Sequence, residues 1–99
     1  MSRARIEFSQ QELEAICRRR AVKRLALFGS VLRDDFGPES DVDVLIEFRD
    51  DFEGHRIYKI YGELEALFGG RRVELVDPRR LDPRLRQYVM ENVEELYAA

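Results

Sequence analysis

Hydrophobic and polar positions follow two periods along this chain, and the switches between them mark its elements. Ser9-Gln-Gln-Glu12 has the spacing of a capping box, with Phe8 and Leu13 placed as a hydrophobic staple. Leu13, Ile16 and Cys17 then recur on one side of a helix predicted to run to about Arg20. Arg24–Phe28 (RLALF) reads as a short apolar strand that stops at Gly29-Ser30. Ser30–Asp35 suits a short helix, and Gly37-Pro38 makes Phe36–Ser40 a loop.

Asp41–Phe48 (DVDVLIEF) returns to period two. Val42, Val44, Ile46 and Phe48 form its core face, while Asp41, Asp43, Leu45 and Glu47 point the other way. Ile57, Ile60, Tyr61, Leu64, Leu67 and Phe68 recur at helical spacing, predicting a helix over His55–Phe68 that Gly69-Gly70 ends. Arg72–Val76 (RVELV) is a third strand. Asp82-Pro83 supplies an N-cap and a first-turn proline for a last helix to about Tyr97, with Leu85, Val89, Val93 and Leu96 as its stripe.

The expected fold is therefore α+β, a small mixed three-stranded sheet with flanking helices in the order α-β-α-β-α-β-α. The Ser30 to Ser40 connection is short for a parallel crossover, so a mixed or antiparallel pair is expected there.

Length and composition narrow the chemistry. Ninety-nine residues predict a single domain over 1–99 with one modest core, burying about 60–65% of the unfolded surface. Hydrophobic residues at 44% and charged residues at 37% describe a folded domain with a heavily charged surface. No run is apolar enough for a membrane span, and Met1–Phe8 lacks the apolar stretch of a signal peptide. One cysteine, Cys17, forms no internal disulfide, and a cytoplasmic location is expected.

A single histidine, His55, and a single cysteine exclude zinc sites built from several such ligands. Eight aspartates and twelve glutamates leave an all-oxygen site for a hard cation such as Mg²⁺ or Mn²⁺. Seventeen basic against twenty acidic residues give a net charge of −3, so no direct nucleic-acid partner is expected. Arg18-Arg19-Arg20 reads as a solvated helix end, Arg71, Arg72, Arg79, Arg80, Arg84 and Arg86 form a second basic group, and the tyrosines read as core edges.

Asp41 and Asp43, two apart on a strand, share a face with their roots about 7 Å apart. Two carboxylates so placed repel each other unless a counter-charge stands between them, and a divalent cation supplies it. Two such ions are the usual arrangement for in-line phosphoryl or nucleotidyl displacement. Glu74 completes a three-carboxylate cluster if the second and third strands are neighbours. Gly29-Ser30, at a strand-to-helix junction, lets backbone approach a phosphate and offers unpaired N–H groups. Gly-Ser followed after ten residues by Asp-x-Asp arises by chance in about one such chain per thousand, on ordinary residue usage.

Gly29-Ser30, ten residues, then Asp41-x-Asp43 resembles the signature of the DNA polymerase beta-like nucleotidyltransferase superfamily. LALFGSVLRDDFGPESDVDVLIEF, followed by a helix and RRVELVDP, resembles more narrowly the minimal nucleotidyltransferase family: antitoxin-type proteins usually encoded beside a HEPN-domain toxin. The resemblance implies that Asp41 and Asp43 hold two Mg²⁺ ions and the triphosphate, and that Glu74 is the third carboxylate, metal ligand and base. It implies that Gly29 and Ser30 bind the β- and γ-phosphates, with Arg33 pairing with phosphate and Ser40 beside the metal dyad. The implied activity is transfer of AMP from ATP onto a hydroxyl, a tyrosine of the partner toxin, whose ribonuclease activity is thereby silenced. The implied assembly is a hetero-oligomer with that toxin. Two alternatives stay open: an antitoxin that neutralises by binding alone, and a nucleotidyltransferase acting on a small molecule. Relatives of the second kind generally carry an added helical domain.

Overall fold

The computed structural model describes residues 6–33, 36, 37, 39–49 and 55–99, and of 55–58 only the backbone. Helix α1 (Gln10–Arg19) starts where the capping box places it, with Ser9 Oγ accepting from the Glu12 N–H at 3.2 Å. Leu13, Ile16 and Cys17 form its buried side. Burial pushes the Cys17 thiol up to about 12, so it packs as a small hydrophobe. Phe8 packs edge-on against Phe68 with ring centroids 5.4 Å apart, fastening the start of α1 to the end of the second helix, α2 (His55–Leu67).

Strand β1 (Val22–Phe28) opens two residues earlier than its apolar run suggests, after Ala21 turns the chain in the left-handed region at φ 57°. Strand β2 (Val42–Phe48) lies antiparallel beside it, pairing Leu27 with Val44 and Phe28 with Asp43. Helix α2 (His55–Leu67) then crosses over to β3 (Val73–Val76), which runs parallel to β2 and pairs Val42 with Val73 and Asp43 with Glu74. The expected burial of Ile57 lies outside the described side chains, as do Asp34 and Asp35 of the expected short helix. What forms after β1 is a four-residue 3₁₀ turn, Gly29–Leu32.

Among the described residues the sheet has four strands, one more than expected, in the order β3-β2-β1-β4, with β4 formed by Glu94–Ala98. Helix α3 (Pro83–Glu91) is capped by Asp82 as expected, but stops at Asn92 rather than at Tyr97. Glu94–Ala98 becomes β4, antiparallel to β1 with Arg24 opposite Ala98 and Leu27 opposite Glu94. Asn92 closes the helix through Nδ2, which donates to the Tyr88 carbonyl at 2.7 Å. The open edge of β1 then offers the following residues a ladder that a longer α3 would leave unmade.

Helices α1 and α2 cover one sheet face, where Leu25, Leu27, Val42, Val44 and Ile46 pack with Leu13, Ile16, Ile60, Leu64 and Phe68. Helix α3 covers part of the other, setting Val89 on Ala26 and Leu45. Leu45, on the polar side of the alternation, is fully buried for that reason. Leu85, on the predicted stripe of α3, is half exposed. Among the described residues no helix is long and apolar enough to cross a membrane.

Candidate active site

The candidate residues gather where β1 ends and β2 begins. Phe28, the last residue of β1, stands opposite Asp43, so the next residue must pass directly beside the Asp43 side chain. Gly29 does so at φ +77°, and a Cβ built there would lie 2.3 Å from Asp43 Oδ2. Any larger residue would collide with the carboxylate and would also bear a left-handed backbone strain. Ser30 follows in the 3₁₀ turn, which closes as the Arg33 N–H donates to the Ser30 carbonyl at 2.9 Å.

Asp43 has Glu74 at its side in the parallel register of β2 and β3. Its carboxyl is raised from 3.8 to about 6. Burial is the largest cause, followed by the charges of Glu74 and Asp41 and a hydrogen bond with Glu74, while the Arg33 guanidinium acts in the opposite sense. Asp41, Asp43, Glu74 and Arg33 are therefore one electrostatic cluster. Asp41 and Asp43 are half-buried; Glu74 and Arg33 are exposed.

The donor set is all-oxygen, which suits a hard divalent cation. Asp43 and Glu74 meet through a proton, and a cation that both can ligate relieves the same repulsion. Asp43 and Glu74 are thus already paired, while among the described residues no three acidic, imidazole or thiol groups converge as a ligand set.

Ser40 lies on the approach to Asp41. Its Oγ accepts from the Gly37 N–H at 3.1 Å, and its own N–H donates to the Gly37 carbonyl at 3.1 Å. The hydroxyl thus helps form the turn before β2 and keeps its hydrogen to donate. The residue that holds this turn is Arg71, which sequence reasoning left undistinguished within a basic group. Arg71 Nη1 donates to the carbonyls of Gly37 (2.9 Å) and Ser40 (3.4 Å), and its guanidinium lies 4.4 Å from the centroid of the Phe36 ring. The contacts span 31 to 35 residues of sequence, so no local pattern announces them.

Other arginines have structural roles. Arg19 and Arg20 both pair with Glu63 on α2, the second at 2.6 Å, Arg24 pairs with Glu95 at 2.7 Å, and Arg79 with Asp77 at 2.9 Å. The first basic run accordingly ties α1 to α2.

The chain as a whole is similar to known proteins. The family model of the nucleotidyltransferase domain matches residues 10–96. A solved minimal nucleotidyltransferase is 32% identical and superposes with TM-score 0.73 over 85% of this chain and 85% of that one. A toxin–antitoxin crystal structure with AMP-PNP is 20% identical, with TM-score 0.72 over 92% of this chain and 74% of the other. The complex of the tri-AMPylated Shewanella oneidensis HEPN toxin with MNT antitoxin is 21% identical, with TM-score 0.63 over 91% and 70%. At these lower identities the likeness is one of fold. No curated protein matches the chain.

Proposed function

The chain belongs to the nucleotidyltransferase domain family, and from that premise we propose that it is an antitoxin that transfers AMP from ATP onto a hydroxyl of a cognate HEPN ribonuclease toxin. The acceptor is a tyrosine of that toxin, and the modification silences it. The whole chain, 1–99, acts as one minimal domain, in the cytoplasm and in a hetero-oligomer with its target. The observation that carries this reading is the Gly29 backbone pressed against the Asp43 carboxylate, with Asp41, Glu74 and Arg33 within electrostatic reach.

Asp41, Asp43 and Glu74 would hold two Mg²⁺ ions, which when bound neutralise the triphosphate and polarise the α-phosphorus. The Gly29-Ser30 turn binds the β- and γ-phosphates through its backbone N–H groups, Arg33 pairs with them, and the Ser40 hydroxyl donates to a phosphate oxygen. Glu74, solvent-exposed and longer by a methylene than the aspartates, takes the proton of the incoming hydroxyl. The acceptor oxygen bonds to the α-phosphorus, the bond from that phosphorus to the β-phosphate oxygen breaks, and pyrophosphate leaves.

The test is incubation with labelled ATP, Mg²⁺ and the product of the neighbouring gene. Label on that protein, absent with Asp41→Asn/Asp43→Asn, is the expected result; no label under conditions where the two proteins bind refutes it. A second reading, an antitoxin that acts by binding alone, draws support from the exposure of Glu74. It predicts that Asp41→Asn/Asp43→Asn still neutralises the toxin fully.

A further inference from the structure

The sheet face that carries Asp43 is covered by α3 only in part, which leaves a cleft of about 400 Å³ between α3 and the 3₁₀ turn. Phe28, Gly29 and Arg33 form one wall, and Leu85, Tyr88 and Asn92 the other. This cleft borders the candidate site, because Gly29 in its wall is the residue that abuts the Asp43 carboxylate. Among the described residues, Leu85 (50% exposed) and Tyr88 (66% exposed) are the exposed large hydrophobics, and both lie here. Apolar surface left in water at one place marks a binding surface.

The lining selects the occupant. Tyr88 presents a flat ring, and Leu85 adds an aliphatic surface beside it. Asn92 commits one Nδ2 hydrogen to the Tyr88 carbonyl, which leaves a ligand its Oδ1 as an acceptor and one N–H as a donor. A flat aromatic ligand bearing an N–H donor, attached to an anion that reaches Gly29 and Arg33, matches every part of this lining. A nucleoside triphosphate has that form.

We propose that the cleft between α3 and the 3₁₀ turn is the nucleoside site, where the base stacks on Tyr88 and donates an exocyclic amine to Asn92 Oδ1 while the phosphates pass over Gly29 toward Asp43. The inference rests on the nucleotidyl-transfer reading and adds its base-recognising residues. Stacking on an aromatic side chain strengthens binding about 5- to 100-fold, and a neutral hydrogen bond about two- to tenfold.

The experiment is titration of the full chain in Mg²⁺ with ATP, with purine riboside triphosphate (ATP without its amine) and with inorganic tripolyphosphate. Tyr88→Ala should weaken ATP at least fivefold and leave tripolyphosphate unchanged, whereas Tyr88→Phe keeps the ring and the affinity. Asn92→Ala should erase the preference for ATP over the deamino analogue. Equal melting temperatures are expected for wild type and the Tyr88 variants, since the ring is mostly in water. If Tyr88→Ala binds ATP as wild type does while Asp43→Asn does not, the base lies elsewhere and the proposal falls with the triphosphate site intact. Should Tyr88→Ala instead weaken only the association with the neighbouring gene's product, the cleft is a protein-docking surface and the proposal is likewise overturned. Failure of wild type to bind either ATP or tripolyphosphate would overturn the nucleotidyl-transfer reading itself.

Discussion

Asp43→Asn should make the metal-free protein more stable at neutral pH. The carboxyl of Asp43 is raised from 3.8 to about 6, by burial first and then by Glu74 and Asp41, so the folded state holds this proton more tightly than the unfolded chain does. Between about pH 4 and pH 6 the unfolded chain releases it first, and stability falls as pH rises through that window. Above it the whole cost of the folded carboxylate is present. A displacement from 3.8 to about 6 corresponds to about 3 kcal/mol before screening. Asp43 is only half-buried, and solvent screening reduces this to about 1 kcal/mol. Asparagine keeps the shape, removes the charge, and its Nδ2 can donate to Glu74. Thermal melts in EDTA should place Asp43→Asn about 4–8 °C above wild type at pH 7.5, with the two converging at pH 4. Comparing variant with wild type cancels the contributions of Glu63 and Asp77, whose carboxyls arginine partners hold low. An Asn variant no more stable at pH 7.5, or one with the same offset at pH 4, would refute the reasoning. A carboxylate retained at such a cost belongs with function rather than with folding.

Two backbone substitutions test the left-handed positions in opposite directions. Gly29→Ala should lower stability by about 1–2 kcal/mol through its φ of +77° and displace the Asp43 carboxylate, lowering nucleotidyl transfer about 100-fold; near-normal transfer in a folded variant would count against the site. Ala21→Gly relieves an alanine held at φ 57° and should raise stability by about 0.5 kcal/mol after the entropy cost of glycine, read as a higher urea midpoint at unchanged slope; a lower midpoint would show that the turn is not strained.

Period-two alternation sets Asp41 and Asp43 opposite the valines of β2, and Gly29-Ser30 is legible because a glycine directly after a strand marks a turn. These signals are local, and the structure sets Gly29 against Asp43 with Asp41 within electrostatic reach. What stayed hidden depends on contacts between distant segments. Val93 and Leu96 sit three apart, a spacing that suits a helix, whereas the fate of Glu94–Ala98 is decided by the open edge of β1 some seventy residues earlier. Arg71 looks like its arginine neighbours until the fold brings it to Phe36 and Gly37.

The polar face of β2 holds the same lesson in a smaller compass. Asp41, Asp43, Leu45 and Glu47 share one side of the strand, yet Leu45 is fully buried under Val89 of α3 while Asp43, beside Gly29, is only half-buried. Alternation alone assigns all four to one environment. The face is divided because α3 ends at Asn92 and turns into β4, leaving the start of the strand, with the carboxylates, half-buried and the middle sealed. The helix break that the pattern of Val93 and Leu96 conceals is thus also what opens the cleft beside the acidic cluster. Had α3 run on to Tyr97, the edge of β1 would have stayed unpaired and α3 would not have been held beside Gly29. One misread terminus therefore bears on two features at once, the extra strand and the space in which a nucleotide would lie.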